Sequence, residues 1–116
     1  MPDKPLVWLG GKVRSPPFSR LARRQAGWLL GRLQKGETLS MPRSRPMPSI
    51  GPRCHELRID DRAAAKAWRI IYRVDPDAIV IVDSFAKKSQ ATPKAAIARA
   101  AGRLRLYDEH AKEAPQ

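Results

Sequence analysis

The chain is poor in the side chains from which most metal and redox sites are built. It has one cysteine, Cys54, and two histidines, His55 and His110, in 116 residues. A lone cysteine excludes an internal disulfide and fits a reducing compartment. Two histidines beside it are too few for a structural zinc site, and neither a metal nor a cofactor is expected. Acids are scarce too, 11 against 23 basic residues, and they form no well-spaced pair of the kind a metal or glycosidase site needs. No apolar run approaches the roughly 20 residues required to cross a bilayer. The stretch Met1-Pro2-Asp3-Lys4-Pro5 lacks the charged-then-apolar layout of a secretory signal, so a cytoplasmic location without membrane association is expected. Trp8, Trp28 and Trp68 each fall on an apolar run, which predicts core packing for all three over base stacking.

What the chain has in excess is positive charge, a formal net of +12. The excess is uneven: residues 1–53 hold 11 Lys/Arg against 2 Asp/Glu, and residues 54–116 hold 12 against 9. A small protein with such a field attracts polyanions, nucleic acid foremost, although an acidic membrane or an acidic protein would also respond. Charge narrows the partner and says nothing about chemistry.

The length suits a single domain over 1–116, with its core at about 4–110 and a disordered tail at 111–116. Pro5–Leu9, closed by Gly10-Gly11, reads as a buried strand. Ser15-Pro16-Pro17 suits a helix start. From there Phe18, Leu21, Ala22, Ala26, Leu29, Leu30 and Leu33 recur at helical spacing, with Gly27 and Gly31 able to break the helix in two. Lys35-Gly36 is a stop. Residues 36–53, with four prolines among Arg43, Arg45 and Arg53, read as a long Pro/Arg-rich loop.

Three strands follow. Cys54–Asp60 alternates, with His55, Leu57 and Ile59 opposed to Glu56, Arg58 and Asp60. Ala67–Val74 sets Trp68, Ile70, Tyr72 and Val74 against Arg69, Ile71 and Arg73. Ile79–Phe85 is apolar and β-branched. The short links between them predict an antiparallel meander. A last helix starts at Thr92-Pro93 and runs to about His110. The fold class is α+β: an antiparallel sheet of about four strands, N-terminal helices and a C-terminal helix, with the helices on one sheet face.

That arrangement leaves the other face open, with Arg58, Arg69 and Arg73 across it. Guanidinium groups grip phosphate with paired hydrogen bonds; solvated strand residues paired with Glu56, Asp60 or Asp83 are the plainer reading. Lys87-Lys88, between the last strand and the last helix, could bind phosphate near the helix amino terminus, or simply be solvated. His55 is the histidine able to act as acid or base, although its strand parity turns it toward the core. His110 lies at a fraying helix end, and Cys54 is expected to pack as a small apolar residue.

Several segments together resemble one family. They are Lys4–Gly10, Met47-Pro48-Ser49-Ile50-Gly51-Pro52, Glu56-Leu57-Arg58-Ile59, Trp68-Arg69-Ile70-Ile71-Tyr72-Arg73, and Phe85-Ala86-Lys87-Lys88 with Thr92-Pro93. In this order they are similar to the phage-associated Gp49-like branch of the HigB toxins, within the RelE/ParE superfamily. The resemblance spans roughly residues 4–108. It implies the toxin of a type II toxin–antitoxin system, a metal-independent mRNA endonuclease, often working on ribosome-held message and so inhibiting translation. In such enzymes the ribose 2′-OH attacks the adjacent phosphate. By motif, Arg69 would stabilise that phosphate, Lys88 or Lys87 would serve the charge or the leaving group, and Arg58 would take the place of a second-strand basic residue. Arg73, Lys94, Arg43 and Arg45 would hold RNA. The implied partner is a HigA-like helix-turn-helix antitoxin. RelE-type toxins carry a tyrosine on the final helix near the site, and Lys94 and its neighbours offer none. Tyr107 is late in the helix for that role, so no general base is identified. Two alternatives share the sequence pattern: a ParE-like inhibitor of DNA gyrase, and a non-catalytic basic nucleic-acid-binding domain.

Overall fold

Two amphipathic helices lie on opposite faces of one five-stranded sheet in the computed structural model, which describes residues 3–10, 17–87 and 92–113. In chain order the elements are β1 (Leu6–Trp8), α1 (Arg20–Gln34), β2 (Ser44–Pro46), β3 (Cys54–Asp61), β4 (Lys66–Val74), β5 (Ile79–Lys87) and α2 (Lys94–Glu113). The sheet order is β1-β5-β4-β3-β2. The expected meander is present: β3, β4 and β5 pair antiparallel, with Arg58 opposite Arg69 and Arg69 opposite Phe85. β1 adds parallel to β5, Val7 beside Val80. β2 pairs antiparallel with β3, Arg45 beside Glu56. The sheet is therefore mixed and has five strands, where alternation alone predicts about four antiparallel ones. The additional strand lies inside the segment read as a loop, because three residues are too few to show a period.

Alternation along β3 and β4 divides the core in two. On one face Leu57, Ile59, Trp68, Ile70, Tyr72, Ile79 and Ile81 pack against Ala22, Ala26, Leu29, Leu30 and Leu33 of α1. On the other, Cys54, Ile71, Val80 and Val82 pack against Ala100 and Leu104 of α2. The expectation that the helices share one face is thus overturned. β5 is apolar on both sides, and with Ile71 it offers α2 a floor among the charged residues of the second face. One charge there is met by α2 itself: buried Asp83 accepts from Arg99 Nε at 2.8 Å and Arg103 Nη1 at 3.1 Å.

The ends of α1 follow local chemistry. Ser19 caps it, its hydroxyl accepting from the Ala22 amide at 3.2 Å; Ser15 and Pro16, the expected cap, lie outside the described residues. Gly27 and Gly31 do not break the helix, and a Cβ at either would meet nothing within 4 Å. Gly36 ends the turn after it at φ +90°, a left-handed conformation that favours glycine. α2 extends to Glu113, so part of the segment expected to be a disordered tail is helical. Trp68 is buried and Trp8 partly so, but Trp28 is 57% exposed. It leaves the apolar stripe because Leu29, Leu30 and Leu33 already fill the buried side of that turn. None of the described helices is long and apolar enough to cross a membrane.

Asp61 joins α1 to the sheet. Its carboxylate accepts from the Ser19 amide at 2.8 Å, Trp68 Nε1 at 3.1 Å and the Ala64 amide at 3.2 Å. These bonds, those from Ser19 foremost, hold its pKa at about 2 against an ordinary 3.8. A folded pKa below the unfolded one gives stability that is complete above the unfolded value and is lost as pH falls through the folded one. Asp61→Asn should therefore be less stable than wild type at pH 6. The gap should close between about pH 4 and pH 2, read from urea midpoints; a gap constant with pH would contradict this role.

Candidate functional site

Where β2, β3, β4 and β5 lie side by side, the face that carries α2 also collects Arg45, Glu56, Arg58, Arg69 and Lys87. Register places them there: Arg45 stands opposite Glu56, Arg58 opposite Arg69, and Ala67 opposite Lys87. Directly paired residues have their Cβ atoms about 5 Å apart on a common face. Glu56 is the centre of the group and has no exposed surface. Its Oε1 lies 3.4 Å from Arg69 Nε, 3.8 Å from Arg45 Nη2 and 3.8 Å from Lys87 Nζ. Its Oε2 accepts from the Thr92 hydroxyl, which itself accepts from Arg45 Nη2 at 3.4 Å. Thr92, read from sequence as a helix cap, thus ties the approach to α2 onto β3.

One carboxylate among four cations leaves the group positive. Arg69 is 5% exposed, and its Nε faces Glu56 Oε1 as an ion pair at 3.4 Å, too poorly aligned for a hydrogen bond between the two atoms. The acceptor held by Arg69 is the Trp68 carbonyl, 3.0 Å from Nη1. Burial, and then the charge of Arg58, pull the Arg69 guanidinium below its ordinary pKa. Burial also pulls Lys87 down; Glu56 opposes the shift, while Arg69, Arg45 and Arg58 add to it. An ammonium so placed gives up its proton more readily than a free lysine. A partly buried cluster with surplus positive charge is what an incoming anion neutralises. Arg45 and Arg58 are the members that reach solvent, with Arg69, Lys87 and Glu56 beneath them.

Other expected site residues are placed differently. Arg43 is exposed; its carbonyl accepts from the Arg58 amide, and its guanidinium lies 5.6 Å from the Trp28 ring centre. Lys94 is exposed on the first turn of α2, two residues beyond Thr92. Lys88 lies outside the described residues. Arg73 shares the face of Arg69 but not its cluster. Its Nε and Nη2 bind Asp75 at 2.7 and 2.8 Å, and its Nη1 and Nη2 bind Asp108 of α2 at 3.0 and 2.8 Å. These carboxylates raise its pKa further and occupy its donors, so it clamps α2 to the sheet. His55 is on the α1 face, stacked 5.2 Å from Tyr72. Burial keeps its pKa below 6.5, and the sheet separates it from Glu56, so it takes no part in the cluster. Glu56 and Thr92 are the functional candidates that sequence reading missed. Strand parity signals the first, which shares a face with Arg58; nothing local signals the second. Among the described residues no three His, Cys, Asp or Glu side chains come together as a metal would need.

The model of the phage-derived protein Gp49-like family matches residues 17–105. The chain belongs to this Gp49-like family. The family is toxin-like and lies in the RelE toxin-like superfamily. No curated protein matches the chain. The Gp49-like match takes in the whole cluster from Arg45 to Thr92. It leaves out β1 and the last turns of α2, so the Arg73–Asp108 contact reaches beyond it.

Proposed function

We propose that the chain is the toxin of a type II toxin–antitoxin pair and that it cuts mRNA within its phosphodiester backbone, inhibiting translation. The observation that carries this reading is Arg69: buried, ion-paired through its Nε to Glu56, inside a cluster of four cations around one carboxylate. In cleavage the ribose 2′-OH attacks the adjacent phosphate, giving a cyclic phosphate and a 5′-OH. Arg45 and Arg58 meet the phosphate from the solvent side. Arg69 adds charge from beneath, where a low dielectric makes it most effective against the developing phosphorane. Lys87, with its lowered pKa, is suited to protonate the departing 5′ oxygen. Glu56 has no surface of its own and acts by holding the cations in place.

A toxin-like family implies an antitoxin partner. A HigA-like helix-turn-helix protein, with an acidic segment laid over Arg45 and Arg58, fits this surface. A gyrase inhibitor of the ParE type would have no use for a buried phosphate-directed cluster, which is why the nuclease reading is preferred.

The test is induced expression in bacteria without the antitoxin, with the 5′ ends of cellular mRNA mapped within minutes. New ends accompanying growth arrest are the expected result, and codon-phased ends would indicate action on the ribosome. Arrest with inhibited gyrase and no new ends would transfer the chain to the ParE-like reading. Neither arrest nor new ends would leave a basic binding domain.

A further inference from the structure

We propose that a groove at the outer end of β3 seats the nucleobase beside the scissile phosphate, and that Asp60 and Gln25 select which base enters. The inference rests on the endonuclease reading above and names a specificity subsite for it. The groove encloses about 340 Å³ between α1 and the turn before β2, and it is lined by Gln25, Pro42, Arg43, Arg58 and Asp60. It adjoins the phosphate cluster through Arg58, which lines the groove, stands opposite Arg69 in the sheet and acts on its charge. A strand with its phosphate at Arg45 and Arg69 therefore has its next nucleotide at this opening.

The groove has the three components of a base pocket. Pro42 supplies a flat apolar wall. Arg43 and Arg58 supply charge for the flanking backbone, and Arg43 does not swing freely. Its guanidinium rests on the Trp28 ring at 5.6 Å, and Arg32 rests on the same ring at 5.0 Å. This gives exposed Trp28 a function: it is a positioning residue that fixes Arg43 at the rim. The third component is a pair of polar groups, partly buried Gln25 and exposed Asp60. Among the described residues neither Gln25 nor Asp60 has a hydrogen-bond or ion-pair partner, although both face the groove.

Their chemistry sets the preference. A carboxylate only accepts hydrogen bonds. Guanine presents two adjacent donors, N1–H and the N2 amino group, which match its two oxygens. Gln25, which both donates and accepts, can answer the guanine O6. Uracil offers a single N–H between two carbonyls, and those oxygens would face the Asp60 charge. The groove therefore favours guanine and rejects uracil.

The experiment maps mRNA 5′ ends after expression of wild type, Asp60→Asn, Gln25→Ala and Arg69→Ala. In wild type, one fixed position next to the cut should be enriched in guanine and depleted of uracil. Asp60→Asn, and more weakly Gln25→Ala, should lower the guanine-to-uracil ratio at that position about tenfold among the ends that are made, the equivalent of one lost paired contact. Arg69→Ala should lower new ends about 10²–10³-fold at every base. Variants that cut with an unchanged base profile would overturn the subsite while leaving the nuclease reading intact. Absence of new ends in wild type would remove both.

Discussion

Replacing Arg69 by alanine is expected to lower RNA cleavage about 10²–10³-fold, the usual cost of removing one preorganised charge donor from a developing oxyanion. The fold should survive. Glu56 keeps Arg45 and Lys87 at 3.8 Å and the Thr92 hydroxyl on its other oxygen, so its carboxylate is not stranded. Removing Arg69 also relieves its repulsion with Arg58, which depresses the Arg69 pKa. Stability should therefore change by no more than about 1–2 kcal/mol, below the 3–5 expected when a buried ion pair loses its partner outright. Arg69→Lys separates charge from shape: it keeps the cation and gives up the planar fork, so it should recover part of the activity. The readouts are new 5′ ends per transcript together with a thermal melt. Full cleavage by Arg69→Ala would remove this residue from the chemistry, and with it the main support for the nuclease reading.

Arg73, four residues along the same strand, should behave in the opposite way. Arg73→Ala leaves Asp75, itself 8% exposed, without its bidentate partner and releases Asp108 on α2. Stranding a buried carboxylate is expected to cost about 3 kcal/mol. That corresponds to a melting temperature lower by roughly 10–20 °C in a chain of this size. Arg53, 3.5 Å from Asp75 and largely exposed, recovers only a small part. At a temperature where the variant is folded, cleavage should be close to wild type, since the Arg73 donors are already occupied by carboxylates. Loss of cleavage in a fully folded Arg73→Ala protein would return this residue to the RNA surface. Two arginines on one face of one strand thus have opposite expected signatures, one in rate and the other in stability.

That contrast also shows how far the sequence could be read. The alternation of β3 and β4 is legible because each strand has about four residues per face, so Arg58, Arg69 and Glu56 could be placed together by parity alone. Sequence reading places Lys87 in the link after Phe85, whereas β5 runs on to include it and its side chain is buried. The partners of Arg73 were not legible: Asp108 is 35 positions away on a helix whose face was unknown. That face was misread because Arg58, Arg69 and Arg73 suggest an exposed surface, whereas burial of Ile71, Val80 and Val82 against α2 outweighs them. β2 escaped notice for want of length. The position of Trp28 followed the helical period too loosely, since a 15-residue helix with five buried residues has room for an apolar side chain outside the stripe.

The sheet edges bear on how the chain behaves when crowded. Each edge strand is three residues long; Pro5 precedes one and Pro46 closes the other. Neither offers a long row of free amides to a second copy. At the register shift between β5 and β4, the Val82 carbonyl accepts from Arg103 Nη1 at 2.8 Å. The two edge strands themselves, short and bounded by prolines, thus give a second copy little to extend.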